Sequence, residues 1–319
     1  MFNIIGKRNY YFTFSGILFI LSVIALFLWG LRIGIDFVGG SSLEVEFVNA
    51  NRPDSQEVTE ALKDFNLGEI IVQPVAERDM ILKLKSIDEE THQKILEKLH
   101  GLIKTESPDQ QNQGSQTLAS ANQKPELIEK QFTSIGPTIG KELTRKTIWA
   151  LILANILITI YIAFSFRKVS KPVSSWQYGV AAVLALIHDV IITLGVFAFF
   201  GHFFNIEIDA SFIAAILTVV GFSVHDSIVV FDRTRENLIK TAQQFEETVN
   251  FSVNQTLGRS ISTSTTAIIA VLAIYLFGGQ STKLISLALV IGIFFGTYSS
   301  IFMASPILVV WQKLSQKYK

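Results

Sequence analysis

Residues 210–231 read Ala210-Ser-Phe-Ile-Ala-Ala-Ile-Leu-Thr-Val-Val-Gly-Phe-Ser-Val-His-Asp-Ser-Ile-Val-Val-Phe231, an apolar run interrupted by one acidic residue, Asp226, beside one histidine, His225. About 20 apolar residues make a helix that crosses a hydrocarbon core of about 30 Å. An ionisable side chain at mid-membrane costs about 2.5 to 3.5 kcal/mol on insertion scales, so a carboxylate there is retained with a partner or a role. The fold class turns on whether this run has companions.

It has five. Residues 10–31, 147–166, 260–282 and 284–312 carry no charged side chain, and residues 177–200 carry one acid, Asp189, next to His188. The last run is long enough for a tilted helix or for a break near Pro306. With 49% hydrophobic and 17% charged residues over 319 positions, the chain is too apolar for a soluble domain of its length. Lys+Arg and Asp+Glu balance at 27 each, so no global field points to nucleic acid. The absence of cysteine excludes disulfides, thiol catalysis and thiolate metal sites. No G-x-x-x-x-G-K-[ST] occurs, and Gly39-Gly40 is a turn-like pair with no lysine after it. Energy for any pumping then comes from an ion gradient or a partner, and no enzymatic chemistry, cofactor or metal is expected.

Positive charge in short loops sets the expected orientation. Lys7 and Arg8 precede the first run, Arg167, Lys168 and Lys171 follow the second, Arg233, Arg235 and Lys240 follow the fourth, and Lys313, Lys317 and Lys319 end the chain. All four groups fall on one side, whereas the opposite loops contain only Lys283. The expectation is a multi-pass membrane protein, with residues 1–9 and 313–319 both cytoplasmic. The first run, followed by Arg32 and Asp36 with no small-x-small cleavage site, reads as a retained anchor.

Residues 32–146 then form one extracytoplasmic (periplasmic) domain. Leu43, Val45 and Phe47 alternate as a strand; Val58, Ala61, Leu62 and Phe65 follow helical spacing; residues 69–75 and 80–84 read as strands. Ile95, Leu96, Leu99, Leu102 and Ile103 mark a second helix and residues 127–135 a last strand. The order β-α-β-β-α-β is that of an α+β ferredoxin-like unit. Residues 105–126, rich in Gln, Asn, Ser and Pro, read as a disordered insert.

The repeated His-Asp pair is the feature that points to chemistry. Imidazole and carboxylate are the groups whose proton affinities burial brings near neutral pH, as a relay across a membrane requires. Each member also has a plainer reading: Asp226, flanked by Ser223 and Ser227, as hydrogen-bonded glue between helices; His225 as a packing residue; Arg259, which opens a fifth span at 259–282, as an interfacial snorkelling side chain. Residues 260–266 are dense in hydroxyls and are expected to face other helices or a wet cavity. Gly292, Gly296, Ser300 and Ala304 form a small-residue stripe that permits close helix approach. Leu238, Ala242, Phe245 and Val249 share one helical face, predicting an amphipathic cytoplasmic helix within 232–258.

Several motifs, in this order and at these places, are similar to one known family. They are Gly34-Ile-Asp-Phe-Val-Gly-Gly40, Ile135-Gly-Pro-Thr-Ile-Gly-Lys-Glu-Leu143, Ala185-Leu-Ile-His-Asp189, Gly221-Phe-Ser-Val-His-Asp-Ser-Ile-Val-Val-Phe-Asp-Arg233, Arg235-Glu-Asn237, residues 254–266 and Gly296-Thr-Tyr-Ser-Ser300. Together they resemble the SecF family. That resemblance implies half of a SecD and SecF complex of the resistance-nodulation-division superfamily, six transmembrane helices forming half of its bundle. The implied partners are SecD, the SecYEG translocon, YajC, membrane lipids and unfolded preproteins, and the implied energy source is the proton-motive force. Carried over by position, Asp226 matches the intramembrane proton-pathway aspartate and Arg259 the arginine paired with that pathway; the reading of the residues themselves adds His188, Asp189 and His225 to the expected pathway. The family commonly has Tyr, Asn and Thr where this chain has Phe222, His225 and Ser227. Two other functions fit the same class: a small-molecule or lipid exporter of the superfamily, which normally needs a twelve-span chain, and a structural subunit that steadies its partner.

Overall fold

The computed structural model describes residues 1–75, 77–103, 126–166, 173–240 and 243–317. The polar tract expected at 105–126 lies, save Glu126, outside the described residues, as do Arg167, Lys168, Lys171 and Lys319. In chain order the elements are α1 (Arg8–Trp29), a short α2 (Ile35–Val38), β1 (Gly40–Val48), α3 (Ser55–Ala61), β2 (Ile71–Val75), β3 (Asp79–Leu84), α4 (Glu89–Gly101) and β4 (Glu126–Ile135). Then follow α5 (Pro137–Ser165), α6 (Ser175–Phe204), α7 (Ala210–Lys240), α8 (Phe245–Phe277), α9 (Gln280–Ser299), a π-turn (Ser300–Ala304) and α10 (Ser305–Lys317). Two compact units result, residues 33–145 and the remainder.

The smaller unit is the expected ferredoxin-like domain. Its four strands lie in the order β2-β3-β1-β4, every neighbour antiparallel. Alternation along β1 and β3 turns Leu43, Val45, Phe47, Met80, Leu82 and Leu84 to one face, where α3 and α4 cover them with Val58, Leu62, Ile95 and Leu99. On the other face Lys130 bridges Asp79 at 2.9 Å and Glu46 at 3.1 Å, and these carboxylates hold its ammonium above the ordinary lysine range. Pro74 sits in edge strand β2, where a missing N–H costs no ladder bond and blunts the edge. Asp88 caps α4 by accepting the Thr91 N–H at 3.0 Å.

Among the described residues six helices are long and apolar enough to cross a membrane. The helix α5 keeps an apolar flank exposed, Trp149, Leu153, Ile156, Ile160 and Phe164, as a lipid-facing helix does. By contrast α6 and α7 form the middle of the bundle, packed against α1, α9 and one another. The small-residue stripe packs as expected. A Cβ on Gly292 lies 2.2 Å from Val219 Cγ2, so only glycine lets α9 approach α7 this closely. The equivalent contact between α1 and α6 is Ser22 against Gly195, where a Cβ meets Ser22 Cβ at 2.3 Å.

Two features depart from the sequence reading. Among the described residues the segment 232–258 holds no separate amphipathic helix: α7 continues to Lys240 and α8 begins at Phe245. The same apolar residues, Leu238, Phe245 and Val249, pack into the bundle core with Ile4 and Ile5 instead of lying on a membrane. Charge ended the membrane-like runs at these points without ending the helices, since Glu, Lys, Arg and Gln are good helix formers. The second departure concerns the last span, which is irregular at 300–304, just before Pro306. Proline has no N–H to offer the carbonyl four residues back and its ring crowds that carbonyl, and the helix accommodates this with a one-turn π-bulge in place of a break.

A buried carboxylate and serine network

Asp189 and Asp226 are both buried in the six-helix unit. The geometry around them is parallel. Asp226, on α7, accepts from Ser260 of α8 at Oδ1 (2.5 Å) and from Ser300 at Oδ2 (2.5 Å). Asp189, on α6, accepts from Ser223 of α7 and Ser299 of α9, both at Oδ2 and both at 2.6 Å. Its other oxygen lies 3.0 Å from His188 Nδ1. With Asp189 ionised, that nitrogen carries the proton. The His188 ring stacks on Phe19 of α1, and its buried Nε2 has no partner among the described residues.

Helix periodicity explains the placement. Asp189, Ser223, Asp226 and Ser260 all lie on inward stripes of their helices, with Thr193, Val219, Val230 and Ser264 buried along the same faces. Burying a carboxylate is costly unless its oxygens are hydrogen-bonded, and each bond to a charged group contributes about 1.5–3 kcal/mol. Two such bonds per carboxylate are of the size needed to offset the mid-membrane penalty of about 2.5–3.5 kcal/mol. Three hydroxyls of the dense 260–266 segment show how it divides: Ser260 and Ser264 are buried, Ser264 accepting from Thr297 at 2.6 Å, while Thr265 faces outward.

The structure ties Asp189, with His188 beside it, and Asp226 to adjacent serines, Ser299 and Ser300. It does not bring Arg259 or His225 to Asp226. Both are exposed, and neither forms an ion pair or hydrogen bond among the described residues. The cause is angular: each immediately precedes an inward residue, Ser260 or Asp226, and successive helical side chains point about 100° apart. Since Ser260 and Asp226 touch, His225 and Arg259 stand at one level on the outside of α7 and α8. Sequence reading did not find Ser260 and Ser299 as carboxylate partners and assigned Ser300 only to packing. The signal available was the adjacent Ser299-Ser300 pair within a span free of charged residues.

No group of three or more His, Cys, Asp or Glu suited to a metal ion occurs among the described residues. A six-span bundle with buried carboxylates and an α+β domain between its first two spans defines a multi-pass membrane transport component. The comparisons make the assignment particular. The family model for protein export membrane protein SecD/SecF, C-terminal, matches residues 115–314. The protein translocase subunit SecF of Thermobaculum terrenum is 41% identical over 98% of this chain and 94% of its own length. That of Anaerolinea thermophila is 36% identical, again over 98% and 94%. The crystal structure of SecDF from Thermus thermophilus, a translocon-associated membrane protein, superposes with a TM-score of 0.78 at 30% identity, over 98% of this chain. The chain spans 39% of that SecDF chain. A second SecDF structure, in a super-membrane-facing form, gives a TM-score of 0.66. This chain belongs to the SecF family of protein translocase subunits.

Proposed function

We propose that the chain works beside a SecD partner in the bacterial inner membrane and uses the proton-motive force to drive or complete preprotein export. The observation carrying this reading is that Asp189 and Asp226 are buried and held by hydroxyls rather than by fixed cations. A carboxylate paired with arginine stays ionised. One held by serines keeps both protonation states within reach, because a hydroxyl donates to the anion and accepts from the acid.

In this reading Asp226 gains and loses the proton, with His188 and Asp189 as a second station. The outward His225 and Arg259 meet SecD, where an acidic residue of the partner pairs with Arg259. Both termini are cytoplasmic, and the ferredoxin-like domain grips the emerging chain at the outer side. The SecDF relative's description as translocon-associated supports engagement of SecYEG, with YajC as a further member. Chemistry on a substrate bond plays no part. One proton crossing is worth about 2.3 kcal/mol per 100 mV, which matches the 1–3 kcal/mol or so of ordinary conformational coupling. The test is export into inverted vesicles under an imposed proton or sodium gradient. Asp226→Asn is expected to leave the protein inserted and partnered but to abolish gradient-dependent export; normal export removes the relay. A second reading, a structural subunit that steadies SecD, is favoured by the lack of contact between Arg259 and Asp226 and gains support if Arg259→Ala exports normally.

A further inference from the structure

Asp189 and Asp226 sit on different helices, yet both are bonded by one dipeptide. Ser299 reaches Asp189 at 2.6 Å and Ser300 reaches Asp226 at 2.5 Å. Neighbouring residues of a helix point about 100° apart, which suits a helix packed against α6 on one side and α7 on the other. Each serine has one hydroxyl proton and a second acceptor within reach. For Ser299 it is the Gly296 carbonyl at 3.1 Å, and for Ser300 the Thr297 carbonyl at 3.0 Å. The dipeptide also straddles the start of the π-turn, the one place among the described membrane helices where the regular ladder is interrupted.

We infer that the two carboxyls of the relay, Asp189 and Asp226, are coupled by Ser299 and Ser300 acting as a paired reader of carboxyl charge. The inference rests on the proposed relay at Asp226 and Asp189 and adds to it the connection between the two. When Asp226 is ionised, Ser300 donates to Oδ2. When a proton from the gradient binds at Oδ2, forming an O–H bond, that oxygen becomes a donor. Ser300 then accepts from it and turns its own hydroxyl proton to the Thr297 carbonyl. No heavy atom has to move far, and the proton count balances: one proton enters and one hydroxyl reorients. Ser299 does the same between Asp189 and the Gly296 carbonyl. Because the two hydroxyls bond carbonyls one residue apart beside the π-turn, the state of one carboxyl alters the local helix geometry presented to the other.

The surroundings are otherwise sparse in charge. His188 is the titratable group that touches Asp189; α1 contributes Phe19 to that histidine, and α7 contributes Ser223. Asp226 meets Ser260 from α8 and Ser300, while His225 and Arg259 at the same level are exposed.

The experiment is infrared difference spectroscopy of the carboxyl C=O band against pH, on the full chain in liposomes, with bands assigned by Asp226→Asn and Asp189→Asn. Asp189→Asn removes a neighbouring negative charge and is expected to move the Asp226 transition to lower pH by about one unit, the scale of interacting sites. Ser299→Ala should shrink that displacement to less than half, and Ser299→Thr, which keeps the hydroxyl, should retain it. Ser223→Ala is the structural control: it deletes an equally short bond to Asp189 that is not joined to Ser300, so the displacement should survive. If Ser299→Ala fails to fold, Ser300→Ala against Ser300→Thr gives the same comparison from the other end. An Asp226 transition unmoved by Asp189→Asn overturns the coupling while leaving the relay intact. A displacement equally large without the Ser299 hydroxyl overturns the role of the serine pair. An Asp226 band in one ionisation state at every pH overturns both the coupling and the relay.

Discussion

Ser300 holds Asp226 from the first position of a π-turn, at 2.5 Å, so the hydroxyl that satisfies a buried carboxylate belongs to the irregular part of its helix. Ser300→Ala removes a bond to a charged acceptor and is expected to destabilise the bundle by about 1.5–3 kcal/mol where Asp226 is ionised. A bond to the neutral carboxyl contributes only about 0.5–1.5 kcal/mol, so the penalty should shrink in acid. Thermal unfolding in detergent at neutral and acid pH, with Ser300→Thr as the rescue, measures both. A penalty independent of pH would mean that the bond does not sense charge.

The amino-terminal segment offers a second measurable contact. Asn250 of α8 accepts from the backbone N–H groups of Ile4 at 2.9 Å and Ile5 at 3.1 Å, and Asn254, one turn further on, accepts from that of Phe2 at 2.8 Å. Both amides also donate to the Phe2 carbonyl. Asn250→Ala leaves two N–H groups without their acceptor and should release residues 2–5. The two lost N–H bonds, at a net of about 1 kcal/mol each, predict roughly thirtyfold faster amide exchange in the segment, with α6 unchanged. Protection equal to that of the parent protein would show the asparagine contacts to be dispensable.

In the ferredoxin-like domain the pH dependence has a definite sign. The Thr91 hydroxyl and N–H donate to Asp88 and hold its carboxyl below the ordinary aspartate range. A group whose folded value is lowered contributes stability above its unfolded value and loses that contribution as pH falls through the folded one. Exchange at the first turn of α4 should therefore accelerate as pH drops from about 5 toward about 3, once the intrinsic rate is divided out, and Asp88→Asn should flatten that rise. A first turn equally protected throughout would show that the charge on Asp88 does not set the cap.

What the sequence made legible follows from where energy is at stake. The six spans stand out because lipid admits only uncharged runs, and Asp189 and Asp226 stand out because each violates that rule inside one. The strands of the small domain were visible through alternation, as with Leu43, Val45 and Phe47. Ser260 and Ser299 left no such mark. A serine in a membrane helix satisfies itself on a carbonyl three or four residues back, as Thr193 and Thr256 do here, so its presence costs little and announces nothing. The pairing of Arg259 with Asp226 was expected from resemblance alone, and helix periodicity turns the two in different directions. The length of α7 and α8 was hidden for the opposite reason: charge ends a membrane run but continues a helix.

The close approach of α9 to α7 can be tested by a mutation and its compensation. Gly292 has no room for a methyl group, since a Cβ there falls 2.2 Å from Val219 Cγ2 and 2.7 Å from Cγ1. Gly292→Ala must push the helices apart or force Val219 off its rotamer, an overpacking cost of about 1–3 kcal/mol. The same displacement carries Gly296 away from Ser223, where a Cβ now stands 3.0 Å from Ser223 Cβ, and so loosens the serine that serves Asp189. Val219→Ala alone opens a small cavity and should itself cost stability. Combined with Gly292→Ala, however, it removes the two methyl groups that clash, and the double variant should regain most of the lost stability and the Asp189 carboxyl band of the parent. Two penalties that merely add, measured by thermal unfolding of the four proteins, would show that Val219 is not what the glycine accommodates.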